Sequence, residues 1–285
     1  MSNNLSVNSG KIETNNKIIP YTMLKYVVFL IGSLGIITSC NSVNQSSLVA
    51  VKDSINAVSI TDTSILIYTE GLLKLKDSFE KSESPVYSKG DYAYFFCSYK
   101  KDGEPVIYQE YGDSGEYGFQ EKTYFLEDGE IVLFTEKSKL LIADSQGDYQ
   151  YKEYRYFYRN GIFLKAEEKS AANDSALHKL PFVKLDENLA DEKKVFDFTE
   201  IESALQGTGK YALTFNKLNT LNSKQYLMLS NNNLSIDVAY LIKTPDSLIH
   251  DIALQPSFYK GKKLDINFEK QGKTLMIYKN GSLAH

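Results

Sequence analysis

The chain has no tryptophan, two cysteines, six prolines and three histidines in 285 residues. Arginine is nearly absent too: Arg155 and Arg159 stand against 30 lysines. Two cysteines cannot staple a disulfide scaffold, and 17 glycines without a three-residue period exclude a collagen-like chain. Three histidines, His178, His250 and His285, stand at no metal-ligand spacing, so no zinc site is readable and no metal or cofactor is expected. A Gly-x-Ser-x-Gly nucleophile turn is missing. Gly207-Thr208-Gly209-Lys210 fails as a phosphate loop, because Ala204 stands where the first glycine belongs and Tyr211 where Ser or Thr belongs. That tetrapeptide reads as a helix stop followed by a strand. Asp144-Ser145-Gln146-Gly147-Asp148 lacks the rest of a calcium loop and reads as a turn.

What the chain has in plenty is apolar and aromatic matter. Hydrophobic residues make up 42%, with 21 Tyr and 15 Phe, enough to offset ordering entropy and exclude a wholly disordered chain. The length allows one large domain or two smaller ones. The formal net charge of -4 gives no basic footprint, and residues 196–285 hold only 10 Lys against 8 acids. Nucleic acid is therefore not an expected partner.

The strongest local signal lies near the amino terminus. Residues 1–22 are polar and Asn-rich. Met23 then opens a stretch with Lys25, an apolar run from Val27 to Ile37, and Thr38-Ser39-Cys40. One basic residue, a short apolar run and small residues before a fixed position have the layout of an export signal. Eleven apolar residues fall well short of the ~20 a membrane span needs. Met23 reads as the true start, with residues 1–22 an upstream extension; the alternative is a genuine, unusually long n-region ahead of the apolar run. Ile37-Thr38-Ser39-Cys40 resembles the lipobox of bacterial lipoproteins, with Ile37 for the usual Leu and Ser39 for the commoner Gly or Ala. The resemblance implies cleavage before Cys40, a diacylglycerol on its thiol, and a further acyl chain such as palmitate. Two acyl chains hold a protein firmly in a membrane. Together with the Lys, Asn, Ile and Tyr bias, the chain resembles Bacteroidota-type lipoproteins of unknown function. The implied place is the cell envelope, anchored in the outer membrane and facing the periplasm. Cleavage leaves 29 basic and 35 acidic residues, and residues 40–55 read as a lipid-anchored tether.

With Cys40 acylated, Cys97 has no partner in the chain. It sits in Tyr92-Ala93-Tyr94-Phe95-Phe96-Cys97-Ser98-Tyr99, a strand pattern, and reads as a small buried hydrophobe.

Residues 56–169 read as an antiparallel β-hairpin domain. Asp102-Gly103, Asp128-Gly129 and Asn160-Gly161 each separate apolar or aromatic runs, and such dipeptides supply the positive φ of a tight hairpin turn. Glu70-Gly71 reads the same way, between strands at 65–68 and 72–75. Tyr124-Phe125-Leu126-Glu127-Asp128-Gly129 is echoed 32 residues later by Tyr156-Phe157-Tyr158-Arg159-Asn160-Gly161, and both close on Glu-Lys, at Glu136-Lys137 and Glu168-Lys169. Ser98 to Glu110 is a looser copy. The repeat predicts a meander. It faintly resembles MORN-type and YD-type repeats, with a different glycine spacing, and no function is carried over from either. Thirteen of the tyrosines fall between Tyr87 and Tyr158. One packed face and one wetted, Tyr-studded face are expected, the latter a candidate platform of Tyr154, Tyr156 and Tyr158 for a protein or glycan.

Residues 170–195 read as a connector with a short helix, and 196–285 as a small α+β domain. Thr199-Glu200-Ile201-Glu202 has capping-box spacing, and Thr244-Pro245-Asp246-Ser247 marks a second helix start. Strands are expected at 210–216, 225–230, 234–242, 263–268 and 274–278. The order β-β-β-α-β-β resembles the OB-fold, whose sheet face would present Tyr226, Met228 and Tyr240 with Lys260, Lys262 and Lys263 at a rim.

The fold class expected is thus mainly β: a hairpin-rich antiparallel meander followed by a small α+β, OB-like domain. The function expected is that of a lipid-anchored, non-catalytic envelope protein that binds a protein or glycan or serves a structural role. The alternative is an envelope glycan or peptide hydrolase with a carboxylate pair. A third reading is an inhibitor of one enzyme.

Overall fold

A computed structural model describes residues 62–142, 147–185 and 196–284. The leader, Cys40 and the tether lie outside the described residues, as do Asp144-Ser145-Gln146 and most of the charged stretch after Leu185.

The chain is mainly β, as expected. Strands β1 (Glu80–Glu83) and β2 (Tyr87–Lys89) line one edge of β3 (Tyr92–Lys101). The meander continues through β4 (Glu104–Asp113), β5 (Gly118–Glu127), β6 (Glu130–Leu141), β7 (Tyr149–Arg159) and β8 (Ile162–Ala171), and ends on β9 (Val183–Lys184). The three predicted turns are present. Both central residues have positive φ: Asp102 54° and Gly103 87°, Asp128 53° and Gly129 79°, Asn160 50° and Gly161 71°. Two such residues turn the chain with the twist of the flanking strands. The repeat extends past the turn. Each returning strand carries an extra residue three positions after the glycine, at Val106, Val132 and Leu164. That bulge shifts the alternation, so Val132 and Leu133 both enter the same apolar cluster while Ile131 enters the opposite one.

Residues 62–75 are helical, not the expected hairpin. In this helix, α1, Ile65, Tyr68, Thr69 and Leu72 recur at helical spacing, and Ile65, Thr69 and Leu72 are buried. Gly71 has no positive φ and makes no turn. The helix covers one face of the meander, burying Cys97, Tyr99, Ile107, Phe125 and Phe157. It crosses the strands: Asp62 pairs with Lys165 of β8 at 2.7 Å, and the Tyr68 hydroxyl donates to the Leu126 carbonyl of β5 at 2.7 Å.

The other face meets helix α3 (Thr199–Gln206), which follows the short helix α2 (Asp174–Lys179) of the connector. Two sheet tyrosines and one from the turn that follows fasten α3. Tyr87 donates to the Ala204 carbonyl at 2.8 Å, Tyr108 donates to Glu202, and Tyr108 stacks on Phe198 at 4.9 Å. Tyr211, in the 3-10 turn after α3, donates to Glu200 at 2.8 Å. Glu202 is thus spent on Tyr108, and the expected capping box does not form; the N-cap, Phe198, offers no side-chain oxygen. Gly207 ends the helix with φ 61°.

Strands β10 (Thr214–Leu221), β11 (Lys224–Asn231) and β12 (Ile236–Ile242) follow, then helices α4 (Ser247–Leu254) and α5 (Pro256–Tyr259), then β13 (Leu264–Gln271) and β14 (Leu275–Leu283). The expected element order is present except for a second short helix, α5, after α4, and Asp246 caps α4 through a 3.1 Å bond from the Ile249 amide. The strands lie in the order β10-β11-β12-β14-β13, with β12 and β14 parallel. Among the described residues the sheet does not close into a barrel, so the likeness to the OB-fold ends at element order. One edge of β12 is shared: Tyr240 to Ile242 pair with β14, and Asp237 pairs with Ser88 of β2. Through that junction all the strands belong to one sheet.

Candidate functional site

The α3 face of the meander is ordered in rows across the strands. One row, Tyr108, Tyr124, Phe134, Tyr156 and Ala166, is apolar and buried, with Phe196 and Phe198 packed on it. The next, one pleat on, runs Phe96, Glu110, Lys122, Glu136, Tyr154 and Glu168. The third begins Tyr94, Gly112, Gln120. Where the second and third rows pass beneath α3, a cavity of about 320 Å³ opens.

Two tyrosines make its aromatic wall. Tyr92 and Tyr94 stack with ring centroids 5.4 Å apart and planes 20° from parallel. Tyr92 lies across β4 only because residue 112 is glycine: a β-carbon there would fall 1.8 Å from the Tyr92 hydroxyl. The strand position thus tolerates no side chain while Tyr92 keeps its place.

Two carboxylates face the same space, Glu110 from β4 and Glu200 from α3. Glu110 accepts from Lys122, directly opposite it, at 3.1 Å and from the Tyr124 hydroxyl at 2.6 Å. Glu200 accepts from Lys210 at 2.6 Å and from Tyr211 at 2.8 Å. Tyr94 meets Tyr211 edge-on, ring centroids 6.5 Å apart, and Tyr211 gives its hydroxyl proton to Glu200. Burial pulls the Glu200 carboxyl upward, but its bonds from Lys210 and Tyr211 outweigh that and hold it below the ordinary carboxylate range. Burial first, then the neighbouring Glu110, pushes the Tyr124 phenol well above its usual value, so it stays a donor. The chemistry on offer is fixed: anionic oxygens with spare lone pairs, aromatic faces, and ammonium groups.

Of the expected binding residues, Tyr156, Tyr158 and Tyr240 are buried core, at 7%, 3% and 2% exposure. Tyr156 and Tyr158 pack on Phe134 and Phe196, because Phe196 and Phe198 cover the face that the strand pattern leaves wet. The expected exposure of these three is therefore corrected. Tyr154 is half-buried and shares the second row with Glu110 and Lys122. Tyr226 is half-buried and lies opposite Leu241, whereas Tyr240 lies opposite Leu227, so the two tyrosines occupy opposite faces of the sheet. Cys40 lies outside the described residues. Cys97 is a buried hydrophobe at 3% exposure, its thiol 3.7 Å from Glu83 and raised by that burial.

Sequence reasoning missed Tyr92, Glu110, Lys122 and Glu200. Gly112 was the available signal, a lone glycine inside a strand pattern, which marks a close approach. Among the described residues no group of three or more His, Cys, Asp or Glu could hold a metal, and no helix is long and apolar enough to cross a membrane. Comparison with known proteins found no matching family model, no matching curated protein and no matching solved structure.

Proposed function

We propose that this protein is a non-catalytic binding protein of the cell envelope, held to the membrane through lipid on Cys40, and that it takes a saccharide in the cavity beneath α3. One observation carries the reading: stacked Tyr92 and Tyr94 stand beside two lysine-held carboxylates in a space of about 320 Å³. A sugar ring offers an apolar face for an aromatic ring and hydroxyl donors for anionic oxygens. The volume lies at the lower end of the range for small-ligand sites.

Titration against a panel of mono- and disaccharides tests this. Binding to the wild-type chain, weakened at least tenfold by Tyr92→Ala, is the expected result; a panel without a single binder overturns the reading. The anchor is tested separately. Intact mass and membrane fractionation should show the wild type cleaved, acylated and membrane-bound, and Cys40→Ala soluble.

A second reading, glycan hydrolysis, is favoured by two carboxylates lining one cavity. It needs one of them to carry a proton. Glu200 is held ionised, and Glu110 already accepts from an ammonium and a phenol. That argues for holding a sugar rather than cleaving it. Release of reducing ends, abolished by Glu110→Gln, would reverse the preference.

A further inference from the structure

The cavity holds an uneven set of charges. Its lining carries three ammonium groups, Lys89, Lys122 and Lys210, and two carboxylates, Glu110 and Glu200. Lys122 is committed to Glu110 at 3.1 Å and Lys210 to Glu200 at 2.6 Å. Among the described residues Lys89 is exposed and has no carboxylate partner. Its position is fixed by the backbone. Lys89 closes β2 and stands directly opposite Tyr92 across the two-residue turn at Gly90, φ 61°. Directly opposed side chains on paired strands are neighbours, with β-carbons about 5 Å apart. One uncommitted cation therefore stands at the edge of the aromatic wall, while the cavity's other cations are already neutralised.

We infer that the ligand of this cavity is a saccharide bearing a carboxylate, with its ring on Tyr92, its hydroxyls toward Glu110 and Glu200, and its carboxylate on Lys89. The inference rests on the saccharide reading above and adds the charge of the ligand and the residue that selects it. A neutral sugar leaves Lys89 without a partner. A free anion without a ring leaves the tyrosine wall unused. A sugar acid satisfies both, and a charge-assisted hydrogen bond is the stronger kind. Lys89 acts here as a specificity-determining residue, not as part of the cavity's floor.

Calorimetric titration of the full chain against matched pairs, glucose with glucuronate and galactose with galacturonate, tests this. The acid should bind about tenfold more tightly than its neutral partner in low salt, and the preference should shrink as salt is raised. Lys89→Gln should erase the preference, weakening the acid far more than its neutral partner. Lys89→Arg should keep it. Acetate should not compete. Equal binding of acid and neutral sugar by the wild type overturns the inference and leaves the saccharide reading standing. So does a preference that survives Lys89→Gln. Acetate competing as well as glucuronate removes the ring from the recognition. Failure of all four sugars removes the saccharide reading, and the inference with it.

Discussion

The meander from β3 to β8 follows one pairing rule, and the strands from β10 to β14 add a second to it. β10-β11-β12 and β13-β14 are hairpin-paired too, and Asn222 and Ser223 give the first of these turns the same positive φ. In the meander each strand pairs with its sequence neighbours, and its three tightest turns each use two residues of positive φ. In the second region β12 pairs in parallel with β14 across two helices and a strand, and it reaches back to Ser88, 149 residues away from Asp237. Local pairing is written in turn dipeptides. Non-local pairing is decided by which apolar faces find each other, a property of the whole chain. The candidate site lies where the two rules meet, on meander strands roofed by α3 and its following turn. Its residues come from positions 89 to 236, and no short motif could contain them.

The sharpest way to break this comparison is at the seam. Tyr87 is 1% exposed, bonds the Ala204 carbonyl and lies 4.5 Å from the Tyr211 ring. Tyr87→Ala should cost about 3–5 kcal/mol, the usual range for emptying a large aromatic site. Urea unfolding followed by far-ultraviolet and tyrosine near-ultraviolet signals should show one transition, shifted as a whole. Two transitions, of which only one moves, would mean that the regions are separate folding units joined only by contact.

The second test lies within the non-local region. Asp246 caps α4 and also accepts from the Tyr278 hydroxyl at 2.8 Å and from the Gly281 amide at 3.1 Å, tying α4 to β14. Asp246→Ala should cost about 2–3 kcal/mol, a cap together with a bond to a charged group. Burial tends to raise this carboxyl, but those hydrogen bonds prevail and hold it below its ordinary value. A depressed carboxyl contributes its full stability above the unfolded value, near 4, and loses it as pH falls through the folded value. The gap between wild type and variant should therefore be constant at neutral pH and close in acid. A gap unchanged at pH 2 would show that Asp246 acts by shape alone.

How much was legible follows the same division. The three Asx-Gly turns, the 32-residue echo and the Asp246 helix start were readable, because each rests on a local backbone preference. The helix at 62–75 was misread. Ile65-Leu66-Ile67-Tyr68 is as good a strand as a helix by composition, and only the burial of Ile65 and Leu72 together, seven apart, decides it. Strand alternation predicts a wet platform at Tyr156 and Tyr158, because it says nothing of Phe196 and Phe198 arriving from 40 residues downstream. The site was illegible for that reason. Glu110 and Lys122 face each other through a hairpin register, and Glu200 joins them only once α3 has docked.

The meander has a second register code besides its turns. Glu121, Lys137, Glu153 and Lys169 are successive neighbours across four strands, alternating in sign. Lys169 sits 2.8 Å from Glu153, its side chain only 9% exposed. Glu153→Lys would set three ammonium groups side by side and leave Lys169 without its carboxylate. The expected cost is about 2 kcal/mol, eased by salt, and it should exceed that of Glu153→Gln. A cost equal for the two substitutions would mean that alternation contributes nothing and the turns alone hold the register.

The smallest effect separates the turns from one another. Gly129 has φ 79° with open space where a β-carbon would stand, so Gly129→Ala introduces backbone strain and no clash. The expected loss is about 1 kcal/mol, and Gly161→Ala, at φ 71° and equally open, should lose about as much. Both turns lead into the same bulge, which places Val132 at 3% exposure in the cluster beneath α1 and Leu164 at that cluster's margin. A strained turn could relax by sliding one residue, but a slide turns the whole strand over and exposes that cluster. The alanine should therefore be borne as strain in an unchanged register. Amide hydrogen exchange would decide it: protection at Phe125 and Leu133 should persist in Gly129→Ala, and its loss would mean that the glycine, not the bulge and its buried valine, sets the pairing.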